Sequence, residues 1–323
     1  MTLAELARLS GASISTVSKA FSGSAEISEA TRERIFSAAK KHGCFDKYYK
    51  GPRDRRMIAL IFPESESEYY GTQIGLLEKE FSKRGADTVI ALTRFDAERG
   101  ARLFRELVYR MKVDGVIVSG SGRLIDNPDE IPLVTICSDT TRAEHSDNIH
   151  IDLRNGVREI IGLIKEYGHK NVGFIGETLT QQKYDFFCSA MRYHGLPLQE
   201  RYIAVSNKRF APCGEECMRM LIEGGDVPSV IVAAYDQIAY GAMRYAKAHG
   251  YDIPNDISFV GMDDISVTDY LDVPLTSLHT HTEDICARVA DLIFKRIDNR
   301  HYRERTEIVI PATLNLRKSL AKK

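Results

Sequence analysis

From residue 57 onward, nine short apolar runs recur with helix-length segments between most of them. The first set is MIALIF, DTVIAL, DGVIV, PLVTI and NIHID; the second is NVGFI, YIAV, SVIVA and ISFVG. Runs this short, alternating with amphipathic stretches, read as strands buried on both faces of parallel sheets and joined by crossover helices. Two sets imply two doubly wound α/β subdomains. Open sheets of this kind take ligands beyond the carboxyl ends of their strands, and two facing sheets leave a cleft between them.

The 323 residues, 43% apolar, suffice for two or three domains. The longest apolar runs fall far short of the roughly 18 residues of a membrane span. The first residues, MTLAELARLSG, lack the basic start and apolar block of a secretory leader, so a cytoplasmic protein without a membrane partner is expected. Six cysteines are scattered, and only Cys213 and Cys217 lie close, without a second Cys or His pair nearby; free thiols are expected rather than a metal site. A net charge of −1 conceals an asymmetry: residues 1–56 hold 11 Lys/Arg against 6 Asp/Glu, and the remainder 33 against 39. The basic end suits an anionic partner, or is simply a solvated surface.

Within that basic end, Thr2 and Glu5 form a capping box for a short helix with Leu3, Leu6, Ala7 and Leu9 to one side, and Gly11 stops it. Ser13 can cap a second helix that gathers Val17, Ala20 and Phe21 on one face. Its opposite face carries Ser15, Ser18, Lys19 and Ser22. Ser28 then caps a third helix with Ile35, Ala38 and Ala39 inward. Two short helices around a Gly-containing turn, braced by a third, make a helix-turn-helix. Hydroxyls are mediocre helix formers, so a helix this rich in them is shaped for something besides its own stability. A major-groove surface asks for short side chains, hydroxyls for phosphate and base edges, and a long cation. A solvated polar face on a small bundle is the plainer alternative.

The stretch from Thr2 to Gly43 resembles the headpiece of the lactose-repressor (LacI/GalR) family, through Ala7, Gly11, Ser13, Thr16, Val17, Ser18 and Lys19, then Ser28, Thr31, Arg32, Arg34 and Ile35. The resemblance implies that Ile14, Ser15 and Lys19 read base edges, and that Ser13, Thr16, Ser18, Ser22 and Thr31 meet phosphates. Lys19 stands where many members carry Arg, which exchanges a bidentate fork for a point charge. The resemblance runs on through GHKNVGFIG, VPSVIVAAYDQIAYGAMRYAKAHGYDIPNDISFVGMDD and VPLTSLHTHTEDICARVADLIFKRI, which match an effector-binding core similar to periplasmic sugar-binding proteins.

It implies a helix-turn-helix domain over 1–45, a basic linker over 46–56, a core over 57–316 and a tail over 317–323. The first subdomain of the core would take 57–154 and 280–302, the second 155–279 and 303–316, with chain crossings near Arg154, Leu278–Thr280 and Arg303. The segment IVIPATLNLR would return to the second subdomain. The linker lacks the hinge-helix pattern of the family, since Gly51-Pro52 interrupts any helix. Either Tyr48 or Tyr49 serves as a wedge, or the segment tracks phosphate with Lys47, Lys50, Arg53, Arg55 and Arg56. For the ligand, the resemblance points to Asp263 and Phe210, with Lys183, Cys137 and Tyr235 at matching but altered positions, and Tyr69, Tyr70 and Ser119 on the first subdomain's side.

No nucleophile with its base and no phosphate-binding glycine loop stands out, so an enzyme is not expected. A secreted solute-binding protein would share the core without a basic helix-turn-helix. The expected protein is a ligand-responsive transcriptional regulator, a repressor that binds a palindromic operator in duplex DNA as a homodimer. It needs no cofactor, and its effector is a small molecule such as a sugar derivative. The dimer surface is expected on QIGLLEKEF, with Ile74 and Leu77, and around Tyr270; no apolar heptads follow Leu316 to build a tetramer.

Overall fold

The computed structural model describes residues 1–24, 26–49, 55–120, 125–128, 130–137, 145–299 and 304–323. The chain divides into two compact units, Met1–Arg56 and Met57–Lys323.

The first unit is helical. The helix α1 (Leu3–Ser10) opens on the expected capping box, with Thr2 Oγ1 accepting from Glu5 N at 3.2 Å and Glu5 Oε2 accepting from Thr2 N at 2.7 Å. Gly11, at φ +62°, ends it in the left-handed conformation that glycine adopts without a Cβ penalty. After Ser13 come α2 (Ile14–Phe21) and, further on, α3 (Glu29–Lys41). Leu6, Val17, Ile35 and Ala39 are fully buried at their junction. Two expectations shift. Leu9 is exposed, because the one-turn stripe of α1 is filled by Leu6 and Ala7. Ser28 stands at the α3 N-cap but donates its hydroxyl to Thr31 Oγ1 at 3.0 Å instead of accepting from the helix backbone.

The linker also starts later than the sequence suggested. Cys44 is buried, and a turn of helix, α4 (Phe45–Tyr48), packs onto the bundle. Phe45 stacks on Tyr49 at 4.6 Å, Tyr48 lies 5.8 Å from Phe21, and the Tyr48 hydroxyl donates to Met1 O at 2.6 Å. Aromatic residues placed next to an apolar bundle add area to a core that eight-residue helices cannot fill alone. Tyr48 is therefore a packing residue of the headpiece, while Tyr49, stacked on Phe45, stays 42% exposed. Lys50, Gly51, Pro52 and Arg53 lie outside the described residues.

In the second unit each of the nine runs is a strand: β1 (Arg56–Phe62), β2 (Ala86–Leu92), β3 (Gly115–Ser119), β4 (Leu133–Cys137), β5 (Asp147–Asp152), β6 (Val172–Glu177), β7 (Ile203–Ser206), β8 (Val230–Ala233) and β9 (Ser258–Asp263). Three more follow: β10 (Thr276–His279), β11 (Glu307–Pro311) and β12 (Thr313–Asn315). One six-stranded sheet runs β11-β5-β4-β3-β1-β2, the other β12-β10-β9-β8-β6-β7. Leu60 pairs with Ile117 in the first and Leu278 with Met262 in the second, both in parallel register, while β12 lies antiparallel to β10.

The helices between them are α5 (Glu68–Lys83), α6 (Ala97–Arg105), α7 (Leu153–Glu166), α8 (Gln181–His194), α9 (Phe210–Glu223), α10 (Asp236–Ala248) and α11 (Thr282–Asp298). Helices α9 and α10 touch backbone to backbone. A Cβ on Gly214 would collide with the Ile238 carbonyl, and one on Gly241 with that of Ala211. No larger residue fits this crossing.

The chain passes between the sheets at Asp152–Leu153, at Thr280–His281 and at Ala312, where a Cβ on Gly156 would crowd Leu278 at 3.0 Å and Ala312 at 3.1 Å. The third crossing corrects the expected boundary near Arg303, which lies outside the described residues. IVIPATLNLR is split: Ile308 and Ile310 pair with Ile149 and Ile151 in the first sheet, and only Thr313–Asn315 joins the second. The apolar pattern marks a strand without saying which of two open edges receives it. Residues 317–323 are no free tail either. Ser319 is fully buried, its carbonyl accepting from Phe259 N at 2.7 Å, and Lys323 N donates to Tyr167 O at 2.8 Å. Ile74 and Leu77, expected on a dimer surface, face the core of their own lobe beneath α5, whereas Tyr270 is 86% exposed.

Candidate functional site

The headpiece presents the first candidate surface. Ser13, Ile14, Ser15, Ser18, Lys19 and Ser22 are all exposed, while Thr16 and Thr31 are half-buried. Ile14 is an apolar side chain left 53% open at the start of a helix whose other apolar residues are buried, so packing does not explain it. Ser13 caps α2: its Oγ accepts from Thr16 N at 3.0 Å and lies 2.8 Å from Thr16 Oγ1. The Ser22 hydroxyl returns to Lys19 O at 3.1 Å. Ser15 and Ser18 make no side-chain hydrogen bond among the described residues, which leaves two hydroxyls aimed at solvent. The Lys19 ammonium pairs with Glu26 across the turn after α2, an exposed contact of the kind worth about 0–1 kcal/mol. Arg55 is exposed and Arg56 half-buried at the start of β1; Lys50 and Arg53 fall outside the described residues.

The second candidate is a cavity of about 180 Å³ between the two sheets. The carboxyl ends of β1, β3, β4 and β5 border it from the first lobe, and those of β6 and β9 from the second. This is the position that parallel sheets prepare for ligands. Seven of the eight expected ligand residues line it: Tyr69, Tyr70, Ser119, Cys137, Lys183, Tyr235 and Asp263. Lys183 Nζ donates to Asp263 Oδ1 at 3.0 Å, so the expected acid and the expected cation neutralise one another. Phe210 is the exception. It does not line the cavity; its backbone N–H donates to the Tyr235 hydroxyl at 3.0 Å, and its ring lies 4.5 Å from the guanidinium centre of Arg209. Phe210 holds a left-handed conformation, φ +57°, and the preceding Arg209 lines the space in its place.

Arg209 is the residue the sequence did not single out, together with Glu64, Glu177 and Phe95. Its Nε donates to Glu177 Oε1 at 3.1 Å, and its two terminal nitrogens meet Glu64, Nη2 to Oε1 at 2.9 Å. Hydrogen bonding to Glu64 above all, and the charge of Glu177, hold the guanidinium above its ordinary pKa. Glu177 ends strand β6 and Glu64 follows β1, so the rule that ligand groups sit past the carboxyl ends of parallel strands could have marked both. Desolvation, reinforced by Asp263, pushes the Tyr69 and Tyr70 hydroxyls up, and desolvation does the same to Tyr235. These phenols stay protonated at neutral pH and act as donors.

Behind them Asp236 is a framework group. It is buried, accepts from Ile265 N at 2.9 Å, and lies so close to Gly261 that a Cβ there would strike its carboxylate. Burial first, and then Asp263, raise its pKa well above the usual carboxylate range. Asp264 is likewise structural: it holds His279 Nδ1 at 2.9 Å, Arg317 Nη1 at 2.6 Å and Asn315 Nδ2 at 2.6 Å. Among the described residues no group of three potential ligands could hold a metal, the six cysteines are buried and form no disulfide, and no helix is long and apolar enough to cross a membrane.

A helix-turn-helix with an exposed hydroxyl-rich second helix, followed by a two-lobed parallel-sheet sensor, defines a DNA-binding regulator with a binding-protein core. The chain belongs to the LacI family: residues 2–44 match the model of the bacterial regulatory proteins of that family, and residues 162–320 match a periplasmic binding protein-like domain. It is a transcriptional regulator, as are its relatives, and not an enzyme. The HTH-type transcriptional repressor CytR of Escherichia coli strain K12 is 25% identical over 316 residues, 93% of this chain and 91% of the relative. A LacI-family transcriptional regulator from Silicibacter pomeroyi superposes with a TM-score of 0.76 at 20% identity, over 99% of each chain. The lac repressor dimer, bound to operator and the anti-inducer ONPF, does so with a TM-score of 0.71 at 19% identity, again over 99% of each.

Proposed function

We propose that the chain is a repressor that binds a roughly palindromic operator as a homodimer, with an affinity set by a small-molecule effector in the cavity between the lobes. On the DNA side, Ile14, Ser15 and Lys19 read base edges, while Ser13, Thr16, Ser18, Ser22 and Thr31 meet phosphates. Lys50, Arg53, Arg55 and Arg56 add sequence-independent attraction. On the effector side, Tyr69, Tyr70, Ser119, Cys137, Lys183, Tyr235 and Asp263 line the seat, and Phe210 acts through Arg209 and Tyr235. The carrying observation is the open face of α2, whose apolar Ile14 and solvent-facing Ser15 and Ser18 serve no purpose within the headpiece. The lac repressor likeness supports the dimer and the operator, since that protein is described with both. The cavity volume, close to that of an engineered cavity known to take benzene, suits a ligand of about one ring, such as a sugar derivative. Effector binding that alters the angle between the lobes shifts operator affinity by about 1–3 kcal/mol, and operator shifts effector affinity equally.

The test is selection of duplexes from fragmented genomic DNA by the purified full chain, with and without a panel of metabolites. A single enriched, near-palindromic sequence is expected, with a complex of two chains per site by sedimentation. Equal binding to selected and random duplexes in every condition refutes the reading.

A further inference from the structure

Arg209 belongs to the second lobe, yet half of its bonds run to the first. Within its own lobe Nε donates to both oxygens of Glu177, at 3.1 and 3.2 Å. Across the cleft Nη1 and Nη2 close a bidentate pair with Glu64, Nη2 to Oε1 at 2.9 Å, and the guanidinium lies 5.2 Å from the ring centre of Phe95 of the first lobe. Glu64 and Glu177 are only 5% and 3% exposed. Fork-to-carboxylate pairing is the strong form of an ion pair, and burial makes it costly to leave either partner alone. Three of the nine non-glycine residues at positive φ among the described residues flank this contact: Arg94 and Phe95 on one side of the cleft and Phe210 on the other, at φ 55°, 62° and 57°. Such conformations persist only where the surroundings over-determine them. Ser266 of the second lobe also reaches the first, its N–H donating to Glu68 Oε1 at 2.8 Å, but that contact is exposed and correspondingly weak.

We propose that Arg209 and Glu64 form a latch between the lobes, and that a small organic cation, an amine or a guanidine, is the ligand class that releases it. This rests on the sensor reading of the cavity. Two carboxylates share one guanidinium. A cation that reaches Glu64 through the cavity leaves Arg209 with Glu177, so every buried charge keeps a partner. An anion that took the fork from Glu64 would strand a buried carboxylate. Lys183 and Asp263 already neutralise each other and offer no second seat for a cation.

The experiment uses the full chain with donor and acceptor dyes on Arg102→Cys in the first lobe and Glu200→Cys in the second; the six native cysteines are buried. Glu64→Gln should lower energy transfer, and the charge swap Glu64→Arg with Arg209→Glu should recover it. Asp291→Asn, which cuts an exposed pair with Arg84 inside the first lobe, should leave it at the wild-type value. On wild-type protein, guanidinium chloride far below unfolding concentrations should lower transfer while sodium chloride at equal ionic strength does not, and neither should act further on Glu64→Gln. Because that arm uses no substitution at the latch, it decides the case even if a variant folds poorly. Unchanged transfer in well-folded Glu64→Gln overturns the latch; equal action of both salts, or none by guanidinium, overturns the cationic ligand class. No DNA is present, so this outcome is separate from operator binding, which a DNA titration of the wild-type protein reads.

Discussion

The headpiece and the sensor core solve the problem of presenting a polar site in opposite ways. In the headpiece the site is one face of one eight-residue helix, held from behind by Val17, Ala20 and Phe21, and its hydroxyls are satisfied by neighbours three residues away or by solvent. In the core the site is assembled from the ends of strands on two sheets, and its charges are paired with residues 80 and 145 positions distant. A local site can be redesigned by changing surface residues without disturbing what supports it. The distributed site cannot, since one of its ion pairs, Arg209 with Glu64, also joins the two lobes.

The contrast is sharpest where support is removed. Phe21 packs against Phe36, Phe45 and Tyr48 in a core of very few residues, so Phe21→Ala should cost about 3–5 kcal/mol and unfold the headpiece while the core keeps its melting temperature. A single shared thermal transition that shifts as a whole would break the comparison. Lys19→Ala should weaken operator binding by about 1–3 kcal/mol and relax one base position, without lowering stability; unchanged sequence preference in a repeated selection removes Lys19 from the reading role. Asp263→Asn should blunt the response to effector by a similar amount, about 1–3 kcal/mol, and leave operator binding without effector in place, as titrations with and without a thermal-shift hit would show. Equal loss of both would make Asp263 structural. Glu26→Gln frees Lys19 from an exposed pair and should raise operator affinity by no more than about 1 kcal/mol. Replacing Arg55 and Arg56 by Gln should flatten the salt dependence of operator binding, by about 0.9 in log-log slope for each phosphate left without its cation.

A pH series separates the two units further. Burial lowers the pKa of His169, whose ring nitrogens lie 2.8 Å from Ser229 Oγ and Ala321 O inside the core. The folded core therefore holds the neutral ring, while the unfolded chain takes up a proton near pH 6.5. Core stability is full above that pH and declines as pH falls from there toward the lowered folded value. His169→Gln should flatten the core's melting temperature between about pH 7 and 5 and leave the headpiece transition unmoved.

Much of this was legible in the chain itself. The capping box, the glycine stop and the buried stripe of α2 are interactions within a few residues, so spacing alone specifies them. Strand identity was equally plain: inner strands such as β3 and β4 are buried on both faces and so nearly continuously apolar, and the partly exposed edge strands β2 and β7 keep enough apolar residues to read the same way. Seven cavity residues followed from resemblance, which carries position but not orientation. Hence Phe210 was expected against the ligand, while the structure turns Arg209 inward in its place.

What residues 2–43 and the nine apolar runs settled by themselves are the short-range matters: where helices start and stop, which faces are apolar, and that a helix-turn-helix with a hydroxyl-rich face precedes two parallel sheets. Only tertiary structure decided that Ile308 and Ile310 pair in one sheet and Leu314 in the other, that residues 317–323 are packed, and that Glu64 meets Arg209. The reason is physical. Backbone periodicity and capping are written in neighbouring residues, whereas the pairing of a strand edge or a buried charge is a choice among distant partners that only the folded packing makes.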